Sequence, residues 1–237
     1  MHFPIPFNHS TSTQSAVSCT TCARQTQCFA QELDTDVLLS LAENIRQRPL
    51  ARGTFAYRSG DAFNTLYFIQ EGFCKKALID DAGQECIVGF SMAGDVLGLD
   101  GCAEGCYTSQ AVALQDSVVC EIPFTSLLAL SFTFPSLQQS LHRIMSREIA
   151  HNQKSMLLLG SLPAEEKLLA FLYGLAQQFA VRGIAADAFD LPMSREEIAG
   201  FLGLQMETVS RAFTKLHAEG LINVQRRHIR IDTARAA

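Results

Sequence analysis

Long apolar runs are missing from this 237-residue chain: none approaches the ~18 to 20 residues that a membrane-crossing helix needs, so no such helix is predicted. The opening stretch, MHFPIPFNHSTSTQSAVS, is polar and sets no Lys or Arg ahead of an apolar segment. It does not read as a secretion signal, and a cytoplasmic location is expected. A Gly-rich phosphate loop, an H-E-x-x-H pair and a G-x-S-x-G elbow are also lacking, so no enzyme is predicted. Charge is sparse as well. Charged residues make up 18% of the chain against 48% hydrophobic, the balance of an ordinary folded protein with room for two domains. The net charge of −5 argues against a body that grips nucleic acid over its whole surface.

That charge is unevenly spread. From Pro192 to Ala237 seven Lys/Arg face five Asp/Glu, a net of +2, while the remainder carries 12 against 19, a net of −7. A mildly basic C-terminal module therefore sits on an acidic body.

Cysteine, by contrast, is abundant: there are eight. In a reducing compartment such a set points to metal binding or redox sensing rather than to disulfides. Cys19, Cys22 and Cys28 fall together in CTTCARQTQC. Four thiolates suit an iron–sulfur cluster or zinc, and a C-x2-C pair binds one metal centre from a single turn. Spacing alone does not choose the fourth ligand among Cys74, Cys86, Cys102, Cys106 and Cys120, and Cys102-x3-Cys106 is itself a plausible pair.

Three textures follow along the chain. Asp34 or Thr35 caps a helix whose apolar positions are Val37, Leu38, Leu41 and Ile45. From Pro49 to about Pro123, short β-rich runs (TLYFIQEG, FCKKALI, ECIVGFSM, DSVVCEI) alternate with turn signals, which predicts a small barrel or roll. Pro135 then opens a long helix to about Gly160. Along it Met145, Ile149, Asn152, Met156 and Leu159 form a four-three stripe fit for pairing with a second copy. Another helix follows Pro163.

The basic module reads SREEIAGFLGLQMETVSRAFTKLHAEGLINVQRRHIRI. Ser194 and Glu197 form a capping box. Ala199, Gly203 and Val209 stand where a helix-turn-helix needs a small crossing residue, a tight turn and a packing side chain. In the second helix Met206, Val209, Phe213 and Leu216 make the expected inner face; Glu207, Ser210, Arg211 and Thr214 make the outer one. Arg211 suits the O6 and N7 of guanine, Glu207 the N4 amine of cytosine, and Ser210 either kind of base edge. LINVQRRHIRI reads as a two-stranded wing whose Arg226, Arg227 and Arg230 reach phosphates. Ser194, Arg195, Thr208 and Lys215 are the further backbone-contact candidates.

The order of these parts resembles the CRP/FNR superfamily of bacterial transcription regulators, and its oxygen-responsive FNR branch most closely. Three motifs carry the resemblance: the C-x2-C-x5-C run, VVCEIPF around Cys120, and ETVSRAF in the second helix. It implies an α+β fold with an N-terminal cyclic-nucleotide-binding-like β-roll, a long dimerisation helix and a C-terminal winged helix-turn-helix. The expected segments are a Cys-rich cluster-binding stretch (1–30), the β-roll sensor domain (31–134), the dimerisation helix (135–161) and the DNA-binding domain (162–237). The resemblance implies a labile 4Fe–4S cluster on Cys19, Cys22, Cys28 and Cys120. It implies a homodimer that binds a palindromic TTGAT-type site without oxygen, reading it through Glu207, Ser210 and Arg211. It also implies that RNA polymerase touches the loop holding Asp80, Asp81, Gly83 and Glu85.

Other readings rest on the same residues. The cyclic-nucleotide branch carries a Gly-Glu and an Arg-Ser pair after the roll's GD, but here no arginine occurs from Gly94 to Ala111, only Asp100, Thr108 and Ser109. No cyclic nucleotide is therefore expected. His142 and His151 are the residues a haem would use. A constitutive or thiol-redox-responsive DNA-binding regulator, with a structural zinc or no metal, is the alternative on the four cysteines. Asn152 stands where the best-known pattern of the family has an acid, so this chain is expected to dimerise more readily without its cluster.

Overall fold

The structure is a computed structural model that describes residues 19–22, 28–160, 162–185 and 187–231, apart from the side chains of Glu32 and Leu158. The polar residues 1–18 lie outside the described residues, as do the ends of two expected segments at 161 and 232–237. No helix among the described residues is long and apolar enough to cross a membrane.

Short helical turns at Cys19–Thr21 and Phe29–Glu32 lead into α1 (Thr35–Ala42), which begins after Asp34 as expected, although the Asp34 side chain makes no capping bond. Ile45 is buried but lies past the end of α1. Eight strands follow: β1 (Arg46–Leu50), β2 (Phe55–Tyr57), β3 (Thr65–Glu71), β4 (Phe73–Ile79), β5 (Glu85–Met92), β6 (Val96–Leu97), β7 (Ser109–Ala113) and β8 (Ser117–Pro123). They form two antiparallel sheets, ordered β1-β8-β3-β6 and β2-β7-β4-β5.

Alternation along the strands separates three apolar layers. On β3, Tyr67 and Ile69 face the roll interior with Leu50, Leu97 and Val119, whereas Leu66 and Phe68 face outward. That outer layer is covered by Phe29, by α1, by α2 (Phe124–Thr133) and by the start of α3 (Pro135–Leu159). The third layer lies on the far sheet, where Phe73, Ile87, Phe90, Met92 and Leu114 join the core of the C-terminal unit.

Helix α2 carries no charged residue and was not expected from its pattern. It is parted from α3 by Phe134, which Pro135 holds extended at φ −121°, ψ 96°. Helix α3 starts at Pro135, as expected, and buries Leu137, Ser140 and Leu141 against the roll. Helix α4 (Ala164–Val181), β9 (Ala188–Asp190), α5 (Arg195–Leu202), α6 (Met206–Ala218), β10 (Ile222–Gln225) and β11 (His228–Ile231) complete the chain. The wing has three strands, in the order β10-β11-β9, rather than two. Three-residue β9 has too little pattern to be seen alone; its ladder comes from β11.

Candidate functional site

The capping box is present in full. Glu197 N–H donates to Ser194 Oγ at 3.1 Å, and Ser194 N–H donates to Glu197 Oε2 at 2.7 Å. Helix α5 ends at Gly203 with φ +65°, a left-handed turn that suits glycine. Ala199 is buried at the crossing, and Val209, Ala212, Phe213 and Leu216 seal the inner face of α6. Met206 departs from the expected pattern: it is 46% exposed, not an inner-face residue. It is the first residue of α6, and Ala212 takes the fourth inner place.

Glu207, Arg211 and Thr214 are exposed on the opposite face, with Ser210 half-buried beside them. Among the described residues, no hydrogen bond or ion pair engages the side chains of Glu207, Ser210 or Arg211; the Ser210 carbonyl accepts from Thr214 Oγ1 at 3.1 Å. The remaining candidates are held in several ways. The Arg195 guanidinium lies 4.6 Å from the centre of the Phe213 ring, which fixes it at the start of α5. Lys215 pairs with Glu165 of α4 at 2.9 Å. Thr208 is half-buried. Gln225 pairs with His228, so Arg226 and Arg227 form a two-residue wing turn, both exposed. Arg226 adopts φ +59°, unusual for a residue with a Cβ, and Arg227 donates to the Pro192 carbonyl at 3.3 Å. Arg230 is exposed on β11.

The cysteines occupy the outer layer of the roll. Val119 points inward on β8, so Cys120 and Ile122 point outward, toward Cys19 and Cys28 of the N-terminal segment. Cys120 stands opposite Gln47 on one side and Phe68 on the other. The Phe29 ring stacks on Phe68 at 4.0 Å. Burial first, then the nearby sulfurs of Cys28, Cys19 and Cys22, push the Cys120 thiol up to about 12. Burial, then Cys28 and Cys22, push Cys19 up to about 11, and burial raises Cys28 as well. These groups are neutral thiols near pH 7, so a metal that takes them as thiolates releases protons. Among the described residues, no three His, Cys, Asp or Glu side chains converge as a single metal ion needs.

The other cysteines sit differently. Cys74 is fully buried inside the roll, which pushes its thiol up to about 12. Burial and Asp100 raise Cys102, Cys106 bridges to Ala62, and Cys86 is exposed. His142 is exposed and His151 half-buried. Two residues escaped the sequence reading. Gln70 donates through Nε2 to Cys22 Sγ at 3.8 Å, and its carbonyl accepts from Gln47 Nε2 at 2.7 Å. Period-two alternation from Phe68 was the one signal that could have put Gln70 on the cysteine face.

Among the described residues, the stripe on α3 is left largely uncovered. Met145 is 40% exposed, Ile149 59%, Met156 71% and Leu159 46%, and Asn152 is exposed among them. A cavity of about 650 Å³ opens between this stripe and the roll, lined by Leu78, Ile87, Val96 and Leu99. At its polar end, Asp100 Oδ2 accepts from the Thr108 N–H and hydroxyl, both at 3.0 Å, and from the Ser109 N–H at 2.7 Å. The Asp80–Gln84 turn is exposed and held from within, Asp80 Oδ1 accepting from Ala82 and Gln84 N–H at 2.9 and 2.8 Å. Asp81 and Gly83 are at its tip, and Glu85 pairs with Lys75 at 2.6 Å.

An exposed helix-turn-helix with a basic wing, fused to a roll of this topology, defines a DNA-binding transcription regulator. Residues 166–236 match the Crp-like helix-turn-helix domain, and residues 47–133 match the cyclic nucleotide-binding domain. Over 214 residues the chain is 40% identical to the transcriptional activator protein anr of Pseudomonas aeruginosa, covering 90% of this chain and 88% of that one. It is 38% identical over 218 residues to the fumarate and nitrate reduction regulatory protein of Escherichia coli, covering 92% and 87%. The solved structure of FixK2 from Bradyrhizobium japonicum superposes with a TM-score of 0.74 at 26% identity, covering 81% of this chain and 94% of that one. The chain belongs to the FNR branch of the CRP/FNR superfamily.

Proposed function

We propose that this regulator responds to oxygen through a 4Fe–4S cluster held by Cys19, Cys22, Cys28 and Cys120, and binds a palindromic TTGAT-type site as a homodimer when oxygen is absent. The observation that carries this reading is the outward-facing Cys120, within electrostatic reach of three cysteines about a hundred residues earlier in the chain. The donor set fits the group. Four cysteine thiols, of which Cys19, Cys28 and Cys120 are partly or fully sheltered from water and all four lie within electrostatic reach of one another, are the donors that would hold an iron–sulfur cluster. Such a cluster supplies an oxygen-labile link between the N-terminal segment and β8.

The rest of the mechanism belongs to the chain itself. The segment that carries Cys28 continues into Phe29, whose carbonyl accepts from Ser140 Oγ of α3 at 2.9 Å. Restraint on the cysteines thus reaches the first turns of the pairing helix. Pairing through Met145, Ile149, Asn152, Met156 and Leu159 sets two α6 helices about 34 Å apart, one turn of DNA. Glu207, Ser210 and Arg211 then read bases, while Ser194, Arg195, Thr208, Lys215, Arg226 and Arg227 meet phosphates. Lys215 must exchange Glu165 for phosphate to do so. Asp80, Asp81, Gly83 and Glu85 form the surface offered to RNA polymerase, in the cytoplasm. The roll binds no cyclic nucleotide, because the Asp100 carboxylate already takes the N–H groups that would cradle a phosphate.

The test is iron and acid-labile sulfide per chain on protein purified without oxygen, with visible spectra before and after air. Close to four of each, and a brown colour that bleaches or changes, supports the reading. A colourless protein with one zinc, or with no metal, removes the oxygen mechanism and leaves the DNA-binding function standing.

A further inference from the structure

Strand β3 is irregular where it passes the cysteines. Ile69 pairs with Val119 and Glu71 with the next residue back, Val118, so Gln70 is an extra residue, bulged out of the ladder. A bulge re-aims a side chain, and such irregularities are common beside functional sites. Here the bulged residue keeps the cysteine face that Phe68 shares, and its side chain donates to Cys22 Sγ at 3.8 Å. Its carbonyl is held at 2.7 Å by Nε2 of Gln47, the residue directly opposite Cys120. With the Gln70 carbonyl occupied by a donor, its NH2 is the end left to face sulfur. The two amides form one chain of hydrogen bonds, each polarising the next, which ends on a candidate ligand.

We propose that Gln70, braced by Gln47, is a positioning residue that holds the Cys22 sulfur by a hydrogen bond and so sets how tightly the four-cysteine site keeps its metal. This rests on the reading that Cys22 is a ligand. A donor aimed at a ligand sulfur fixes its direction toward the metal; outer partners of this kind tune both affinity and lability. Both glutamines are half-buried on a strand surface, so replacing either leaves the roll core untouched.

Wild-type protein, reconstituted without oxygen and assayed for iron and sulfide, first establishes what the cysteines hold. Release of iron to an excess of a ferrous chelator, followed anaerobically by absorbance, is then compared for wild type, Gln70→Leu, Gln47→Leu and the double variant. Gln70→Leu is expected to release iron about fivefold faster, the change one lost hydrogen bond produces, with an unaltered melting temperature of the apo-protein. Gln47→Leu should release it about twofold faster, and the double variant no faster than Gln70→Leu alone, because Gln47 acts through Gln70. Equal rates in all four proteins, or two effects that multiply in full, overturn the proposal. Should the wild type take up no iron, the cluster reading fails and Co2+ titration of the four apo-proteins tests Gln70 separately. Weaker Co2+ binding in Gln70→Leu, read by thiolate-to-metal absorbance, upholds the positioning role, and equal affinity refutes it.

Discussion

Replacing Ile149 by alanine isolates the pairing helix from everything else the chain does. The side chain is 59% exposed in the monomer, so most of its apolar surface is left to be covered by a second copy. Fully burying an isoleucine side chain contributes about 1.5 to 3 kcal/mol, so covering the exposed part contributes roughly 1 to 2. Twofold symmetry counts it twice, giving about 2 to 4 kcal/mol per dimer, or roughly 30-fold to several hundred-fold in the dimer dissociation constant. Alanine is the better helix former, so α3 itself is not weakened. Sedimentation velocity across a concentration series, on protein handled without oxygen, reads the shift directly, and a thermal melt at a concentration where both proteins are monomeric provides the control. A weakened dimer with an unchanged melt is expected. An unchanged dissociation constant refutes the pairing role of the stripe, and a melt lowered by several degrees means that Ile149 packs within the monomer.

Two further changes test neighbouring steps. Asn152→Asp places like charges across the seam and should weaken the cluster-free dimer about tenfold; a clean monomer of the unaltered apo-protein at micromolar concentration removes the premise that neutral Asn152 favours pairing. Arg226→Gly relieves a left-handed φ of +59°, so the melting temperature should hold or rise, while loss of one phosphate contact per protomer should flatten the plot of log binding constant against log salt by about 2. A slope unchanged in that variant takes Arg226 off the phosphate backbone.

Much of the architecture was legible because its elements are marked by local chemistry. Strands β3, β4, β5 and β8 are β-rich runs bounded by turn residues, Pro135 announces α3, and Ser194 with Glu197 announces α5. What stayed hidden depends on partners distant in sequence. Helix α2 is apolar on nearly every side, so it has no stripe to set it apart from the strand before it. Strand β9 exists because β11 offers it a ladder. Met206 fits the spacing of an inner face, but an end residue has no turn beneath it to pack against. Among the cysteines, spacing could not single out Cys120; its outward direction on β8 emerges once Val119 is known to face the roll interior. Gln47 and Gln70 meet across two strands that β8 separates, a contact with no trace in either segment's pattern.

The way the two halves are joined limits how a signal can travel. The far sheet of the roll and the helix-turn-helix share one apolar core, in which Phe90 lies 5.9 Å from Phe171 and 5.4 Å from Phe201, ring centre to ring centre. A Cβ on Gly200 would stand 3.5 Å from Ile87, so α5 lies close against β5. Polar ties flank the same contact: Arg182 reaches Asp95 and the Ala93 carbonyl, and Lys75 lies 3.6 Å from Glu197. Burial disfavours the charged form of Asp95 and the Arg182 guanidinium opposes that shift, so freeing α4 from the roll would leave this half-buried acid without its cation. Turning the recognition helix relative to its own roll therefore means breaking a packed core and a half-buried ion pair together. Changing how two such units meet along α3 breaks neither. The proposed pairing of protomers is thus the cheaper coordinate for regulation, and the cysteine segment touches α3 through Phe29 and Ser140, close to where that helix begins.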